Sequence, residues 1–168
     1  MERKTNPLGL ASNYLKSVNL NTFSPKDTSV EARLAFVELI REALRQGVPP
    51  SFLEREIGIS HYYSRKLASG RCFPGPKLVA RIGLDRILQA ISKWHELEVK
   101  ALGVISTRHF WNPKRLLKAM GDGINLRTLE VVLDRLEGKG WIERDSLEPR
   151  YFWITKLGER ELRLRACR

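Results

Sequence analysis

The chain has 168 residues, with 30 Lys and Arg against 19 Asp and Glu, for a formal net charge of +11. That length suits one medium or two small domains, and a hydrophobic fraction of 42% allows each a small core. The cationic surplus points to a polyanionic partner, with nucleic acid first. No apolar run is long enough to span a membrane, and the first residues lack the continuous apolar core of a secretory signal, so a cytoplasmic protein is expected.

Met1 to about Asp27 is rich in Asn, Ser, Thr, Lys and Pro without a sustained period, and reads as a loosely packed arm. Ser29 then caps a periodic helix, VEARLAFVELIREALRQG, with Leu34, Val37, Leu39, Ile40 and Leu44 largely on one face and Gly47 as its stop. Val48-Pro-Pro breaks the chain. Short helices are expected over about Ser51–Ile57, Ser60–Ser69 and Lys77–Ser92, and a longer one over about Trp94–Ile105. Arg86–Ile105 also reads as one nearly continuous helix, which would join two halves, 28–92 and 93–168, rigidly. Farther on, Asn112-Pro113 opens a basic helix ending at Gly121, and the turn DGIN leads to a helix with apolar residues at Leu126, Leu129, Val132, Leu133 and Leu136. GKG stops that helix, and two strand-like runs follow, Trp141–Arg144 and Arg150–Thr155.

Two stretches resemble known DNA-binding families. In FLEREIGISHYYSRKLASGRCFP, the residues Leu53, Gly58, Ile59, Ser60, Leu67 and Gly70 match the pattern of the lambda-repressor/Cro-like helix-turn-helix family. Glu54 stands where that family usually has a small Ala, and Ser64 where it has a buried aliphatic residue. The string LEGKGWIER…YFWITKLGEREL resembles the winged-helix domains of prokaryotic transcription regulators. The resemblances imply a mainly α chain: a helical helix-turn-helix domain, then a winged-helix domain with a small β-hairpin wing. They also imply a prokaryotic, archaeal-type regulator that binds double-stranded DNA as a homodimer. An excess of Arg over Lys and scarce Gln fit a thermophilic source.

The residue chemistry adds candidate contacts. The second helix of the first unit starts His61-Tyr62-Tyr63 and continues with Arg65 and Lys66, with Arg71 just beyond its end and no acid from Ile57 to Arg81. Donor-rich side chains near such an N-terminus reach base edges, while cations farther along meet phosphates. Either Tyr62 or Tyr63 is expected in the core. In the second unit Lys114, Arg115 and Lys118 suit phosphate, and Arg127 and Thr128 stand where base contacts usually lie. Glu130 and Asp134 share that helix. Arg144 and Arg150 flank an acidic tip, DSLEP, and are candidates for a minor groove or the backbone. Trp94, Phe110, Trp111, Trp141, Tyr151, Phe152 and Trp153 read as core or hairpin-packing residues, with outward rings marking a dimer surface. Trp94, Leu97, Leu162 and Leu164 are candidates for such an interface.

No enzyme is expected. The sequence shows no phosphate-cradling glycine loop and no spaced Ser-His-Asp or Cys-His set. Cys72 and Cys167 form no C-x-x-C pair, and His61, His95 and His109 are scattered, so no metal site or cofactor is expected. Two reduced thiols are the simpler reading; a disulfide stays open if the source is hyperthermophilic. Beside the regulator stand two other readings: a DNA-organising, partition or replication protein of a plasmid, virus or mobile element, and a protein-interaction adaptor built on winged-helix folds.

Overall fold

In the computed structural model, which describes residues 28–121 and 124–166, the protein is mainly helical with one small antiparallel hairpin. The expected arm, the Asp122-Gly123 part of the DGIN turn and Cys167 lie outside the described residues. The chain divides into two compact units at Ser92/Lys93. Among the described residues no helix is long and apolar enough to cross a membrane.

Unit 1 is built on α1 (Val30–Arg45), whose N-terminus is capped by the Ser29 hydroxyl accepting from Ala32 N–H at 3.2 Å. Its buried stripe is Ala32, Ala35, Phe36, Val37, Leu39, Ile40 and Ala43. This corrects the face read from the sequence. Leu34 is 44% exposed, because small Ala and large Phe at helical spacing define the inner side more closely than the leucines do. Three short helices follow: α2 (Pro50–Ile57), α3 (His61–Ala68) and α4 (Pro76–Ile82). α1 packs on α3 and α4, and α2 on α3. The helix expected over Lys77–Ser92 is broken at Gly83, where the chain turns out of α4 with φ 73°. It resumes as α5 (Leu84–Ile105), continuous through the stretch read as two helices.

In unit 2 the later part of α5 buries Trp94, Ala101, Leu102 and Ile105. Helix α6 (Pro113–Met120) buries Leu116 and Met120, and α7 (Leu126–Gly138) buries Leu129, Val132, Leu133 and Leu136. Each buried aliphatic side chain stabilises the unit by ~1.5–3 kcal/mol relative to exposure. Strands β1 (Ile142–Arg144) and β2 (Phe152–Ile154) pair antiparallel, with Ile142 opposite Ile154, Glu143 opposite Trp153 and Arg144 opposite Phe152. Both are shorter than the sequence runs suggested. Trp111 adds a single bridge to Phe152, and its indole donates to the Ile105 carbonyl at 3.2 Å.

The last helix, α8 (Lys156–Ala166), starts against β1 through the segment Thr155–Gly158. The Thr155 hydroxyl donates to the Gly140 carbonyl at 2.7 Å and accepts from Gly158 N–H at 3.1 Å. A Cβ on Gly158 would lie 2.1 Å from the Trp141 carbonyl oxygen, so only glycine allows this approach.

Candidate nucleic-acid interface

The turn between α2 and α3 is three residues long. Gly58 closes α2 in the left-handed region (φ 71°), Ile59 is buried beneath the turn, and the Ser60 hydroxyl caps α3 by accepting from Tyr63 N–H at 3.3 Å. The two departures from the family pattern are accommodated locally. Glu54 is exposed, and its carboxylate accepts from His61 N–H at 3.4 Å, adding a second acceptor at the α3 N-terminus. Ser64 is fully buried, and its hydroxyl donates to the His61 carbonyl at 2.9 Å, so a polar group replaces an aliphatic one without being stranded.

This construction turns one side of α3 outward. His61, Arg65 and Arg71 are exposed, Tyr62 is 64% exposed, and Lys66 is half-buried with its ammonium over the Tyr62 ring. Arg71 is held just past the helix end by its N–H donating to the Lys66 carbonyl at 3.0 Å. Arg65, Lys66 and Arg71 take part in no ion pair among the described residues, whereas Arg41, Arg45 and Arg55 of the same unit each engage a glutamate. Tyr63 is the tyrosine that turns inward: it is half-buried, and burial, followed by the neighbouring Cys72, raises its pKa. It stands apart from the outward set.

Unit 2 presents a second cationic strip. Asn112 caps α6 by accepting from Arg115 N–H at 2.9 Å, and Lys114, Arg115 and Lys118 are exposed along that helix. Asn125 caps α7 in the same way, accepting from Thr128 N–H at 2.8 Å, which leaves Arg127 exposed in the first turn. None of these four cations is ion-paired among the described residues. Thr128 is half-buried and less outward than its spacing suggested.

The wing arginines are differently placed. Arg144 forms ion pairs with Asp134 and Glu137 of α7, and Arg150 is held by Glu148 at 2.8 Å. The Asp145 carboxylate accepts from the N–H groups of Leu147 and Glu148, which lowers its pKa and fixes the tip as an acidic turn. Arg144 and Arg150, expected to meet DNA, are thus each engaged by carboxylates, Arg144 by two on α7 and Arg150 by one in the wing. The acids themselves were visible in the sequence, with Asp134 and Glu137 on one side of α7 and Asp145 and Glu148 just before Arg150, but only the folded chain shows which cation each one meets.

Sequence reasoning missed a buried carboxylate. Glu98 lies fully buried on the inner stripe of α5, one turn from both Trp94 and Leu102. Lys139 donates to it at 2.8 Å, Arg135 forms an ion pair with it, and His95 Nδ1 lies at 3.4 Å. Burial alone would raise the Glu98 pKa. The hydrogen bonds from His95 and Lys139 and the charges of Lys139 and Arg135 outweigh it, and the pKa falls to about 2. Burial in turn lowers the Lys139 pKa. The detectable clue was a glutamate at an apolar-stripe position facing a second helix with cations at i and i+4. This cluster is an internal tie between α5 and α7. Its carboxylate is shut off from solvent while its three partners reach the surface, and it is no part of the cationic strip on α6 and the start of α7.

Among the described residues no group of three or more His, Cys, Asp or Glu is placed to hold a metal ion. Trp94, a candidate for a dimer surface, is fully buried and cannot serve there. Comparison with family models, curated proteins and solved structures finds no match to this chain.

Proposed function

We propose that the protein is a sequence-specific double-stranded-DNA-binding protein, acting as a transcription regulator and homodimer. In this reading α2 and α3 form a helix-turn-helix, and α6, α7 and the hairpin form a winged helix. The observation that carries it is the outward face of α3: a capped, exposed helix start with His61 and Tyr62, followed by Arg65, Lys66 and Arg71, which have no ion-pair partner among the described residues. A cation without a carboxylate beside it attracts a phosphate more strongly than a paired one. In this reading His61 at the helix start carries the donor for base edges in a major groove, the Tyr62 ring steers Lys66, and the cations meet the flanking phosphates.

For unit 2 the reading assigns contact to Lys114, Arg115, Lys118 and Arg127, with Thr128 beside them, and withdraws Arg144 and Arg150. DNA held this way meets two short helix starts per chain and no wing. The test is footprinting of the purified protein on its own upstream region, with a salt titration on any protected site. Neutralising Z phosphates gives a log–log slope of roughly −0.9Z, and binding that did not weaken with salt would overturn the reading. A specific regulator protects a short bounded site. Extended coating would favour the DNA-organising alternative, and an absence of binding would favour the adaptor.

A further inference from the structure

Two exposed surfaces of unit 2 are apolar and opposite in charge. On the outer face of the hairpin, Phe110 is 62% exposed and stands edge-on to Trp153 with ring centres 5.8 Å apart. Leu147, at the tip, is 91% exposed. Their surroundings are acidic. Glu143 faces Trp153 across the ladder and Asp145 opens the tip, neither of them in an ion pair among the described residues, while Glu148 and Arg150 pair with each other. Such a face repels a polyanion, yet it leaves an aromatic and aliphatic cluster in water.

Helix α8 presents the converse. Leu157 and Leu164 are 52% and 57% exposed, and with Arg160 between them they fall at i, i+3 and i+7, one stripe of the helix. Lys156, Glu159 and Arg163 are also exposed, so with Arg160 three cations outnumber one acid on this side. The other side of α8 is occupied inside the unit. Gly158 abuts Trp141, and Arg165 lies 5.0 Å over the Trp141 ring while pairing with Glu161. The outward stripe therefore has apolar anchors and positive charge, where the hairpin face has apolar anchors and negative charge.

We propose that the acidic aromatic face of the hairpin in one copy docks on the basic leucine stripe of α8 in a second copy. Each chain carries both halves, so a two-fold pair makes the contact twice. Apolar side chains supply affinity, and the opposed charges set the pairing and speed the encounter. The proposal names surfaces for the homodimer put forward above and does not rest on DNA binding. It gives the wing the role of a protein contact.

The test is sedimentation equilibrium of the full chain without DNA, from micromolar to hundreds of micromolar at low salt, with melting curves as a folding control. The wild type is expected to shift from monomer to dimer, less so at high salt. One variant carries Arg160→Glu with Arg163→Glu, and another Glu143→Arg with Glu148→Arg. Each alone is expected to weaken association by roughly tenfold or more, because like charges then face each other. Mixed one to one, they are expected to pair again, since each wing then meets an α8 of opposite charge. Leu147→Ser tests the apolar anchor without touching charge, and is expected to weaken association as well. A wild type that stays monomeric throughout would overturn the docking and the homodimer together. Association that persists in all three variants, or variants that fail to rescue each other, would overturn these surfaces while leaving a homodimer built elsewhere.

Discussion

On the exposed side of α3 the ammonium of Lys66 lies 4.5 Å from the centre of the Tyr62 ring, one turn earlier in the same helix. An exposed cation–π contact is worth ~0.5–1 kcal/mol, enough to bias a flexible lysine toward one direction. Tyr62 thus holds a cation toward the helix start, the part of α3 that the proposed function places on DNA. Tyr62→Phe keeps the ring and is expected to change DNA affinity little, whereas Tyr62→Ala is expected to weaken binding several-fold on all sequences. Binding titrations of both variants on one duplex check this. Equal losses would show that the hydroxyl, rather than the ring, is the important group.

Arg65 and Lys66 are expected to act mainly through charge. If both meet phosphates as proposed, replacing them with alanine should make the log–log salt slope shallower by roughly 2. Neither side chain supports the core, so the melting temperature should stay near the wild-type value. If the slope and the affinity were both unchanged, α3 would not lie on DNA.

The turn and caps of unit 1 were legible because they depend on local chemistry. Gly58, Ile59 and Ser60 each fill a position that few residue types can hold, and the short range of a cap makes its spacing diagnostic. The inner face of α1 was less legible. Leu34 and Phe36 are both apolar, and the choice between them is made by the helices that pack on α1. The same limit applies to the wing. A basic residue beside a hairpin looks available in sequence, but Arg144 meets acids that are seven and ten residues away and on another element. Pairing across elements is a tertiary fact, so the list of candidate cations could be written from sequence while their availability could not.

Arg127 and Arg144 therefore make a discriminating pair. Arg127→Ala is expected to lower DNA affinity and leave the melting curve in place. Arg144→Ala removes ion pairs with Asp134 and Glu137 at a partly exposed position, a stability loss of ~0.2–1 kcal/mol, with little direct effect on phosphate contact. Thermal melting and binding titrations of the two variants should show opposite patterns. The same pattern in both would return Arg144 to the interface.

Glu98 predicts an acid-labile unit 2. Its pKa falls from 4.5 to about 2 on folding, so its stabilising contribution is fully present above about pH 4.5. That contribution is lost as the pH falls toward 2, where the folded-state carboxylate finally protonates. The shift corresponds to about 3 kcal/mol at neutral pH. Glu98→Gln should cost a similar amount near neutrality, because Arg135 and Lys139 would keep their charges beside a neutral amide. Denaturant unfolding at neutral pH and near pH 2 checks both parts. The difference between variant and wild type should be large at the first and small at the second, and a difference independent of pH would rule out the ionised carboxylate as the stabilising species.

The start of α8 gives the sharpest structural prediction. Thr155 satisfies the Gly140 carbonyl and the Gly158 N–H at once, and Gly158 brings the helix backbone against the Trp141 carbonyl. In Gly158→Ala the new methyl group would meet that carbonyl oxygen at 2.1 Å and Ile154 Cγ1 at 2.9 Å. Backbone on one side and a packed side chain on the other leave little room to yield, so α8 must move away from β1. The expected cost is ~1–3 kcal/mol, an overpacking effect despite alanine being the better helix former. Thr155→Val keeps the shape and removes the hydroxyl, and should cost ~1 kcal/mol by releasing the cap. The double variant should lose less than the sum of the two, because once α8 has shifted there is no cap left to break. Urea unfolding of the two single variants and the double variant measures this directly, and strictly additive losses would mean that the cap and the close approach are independent.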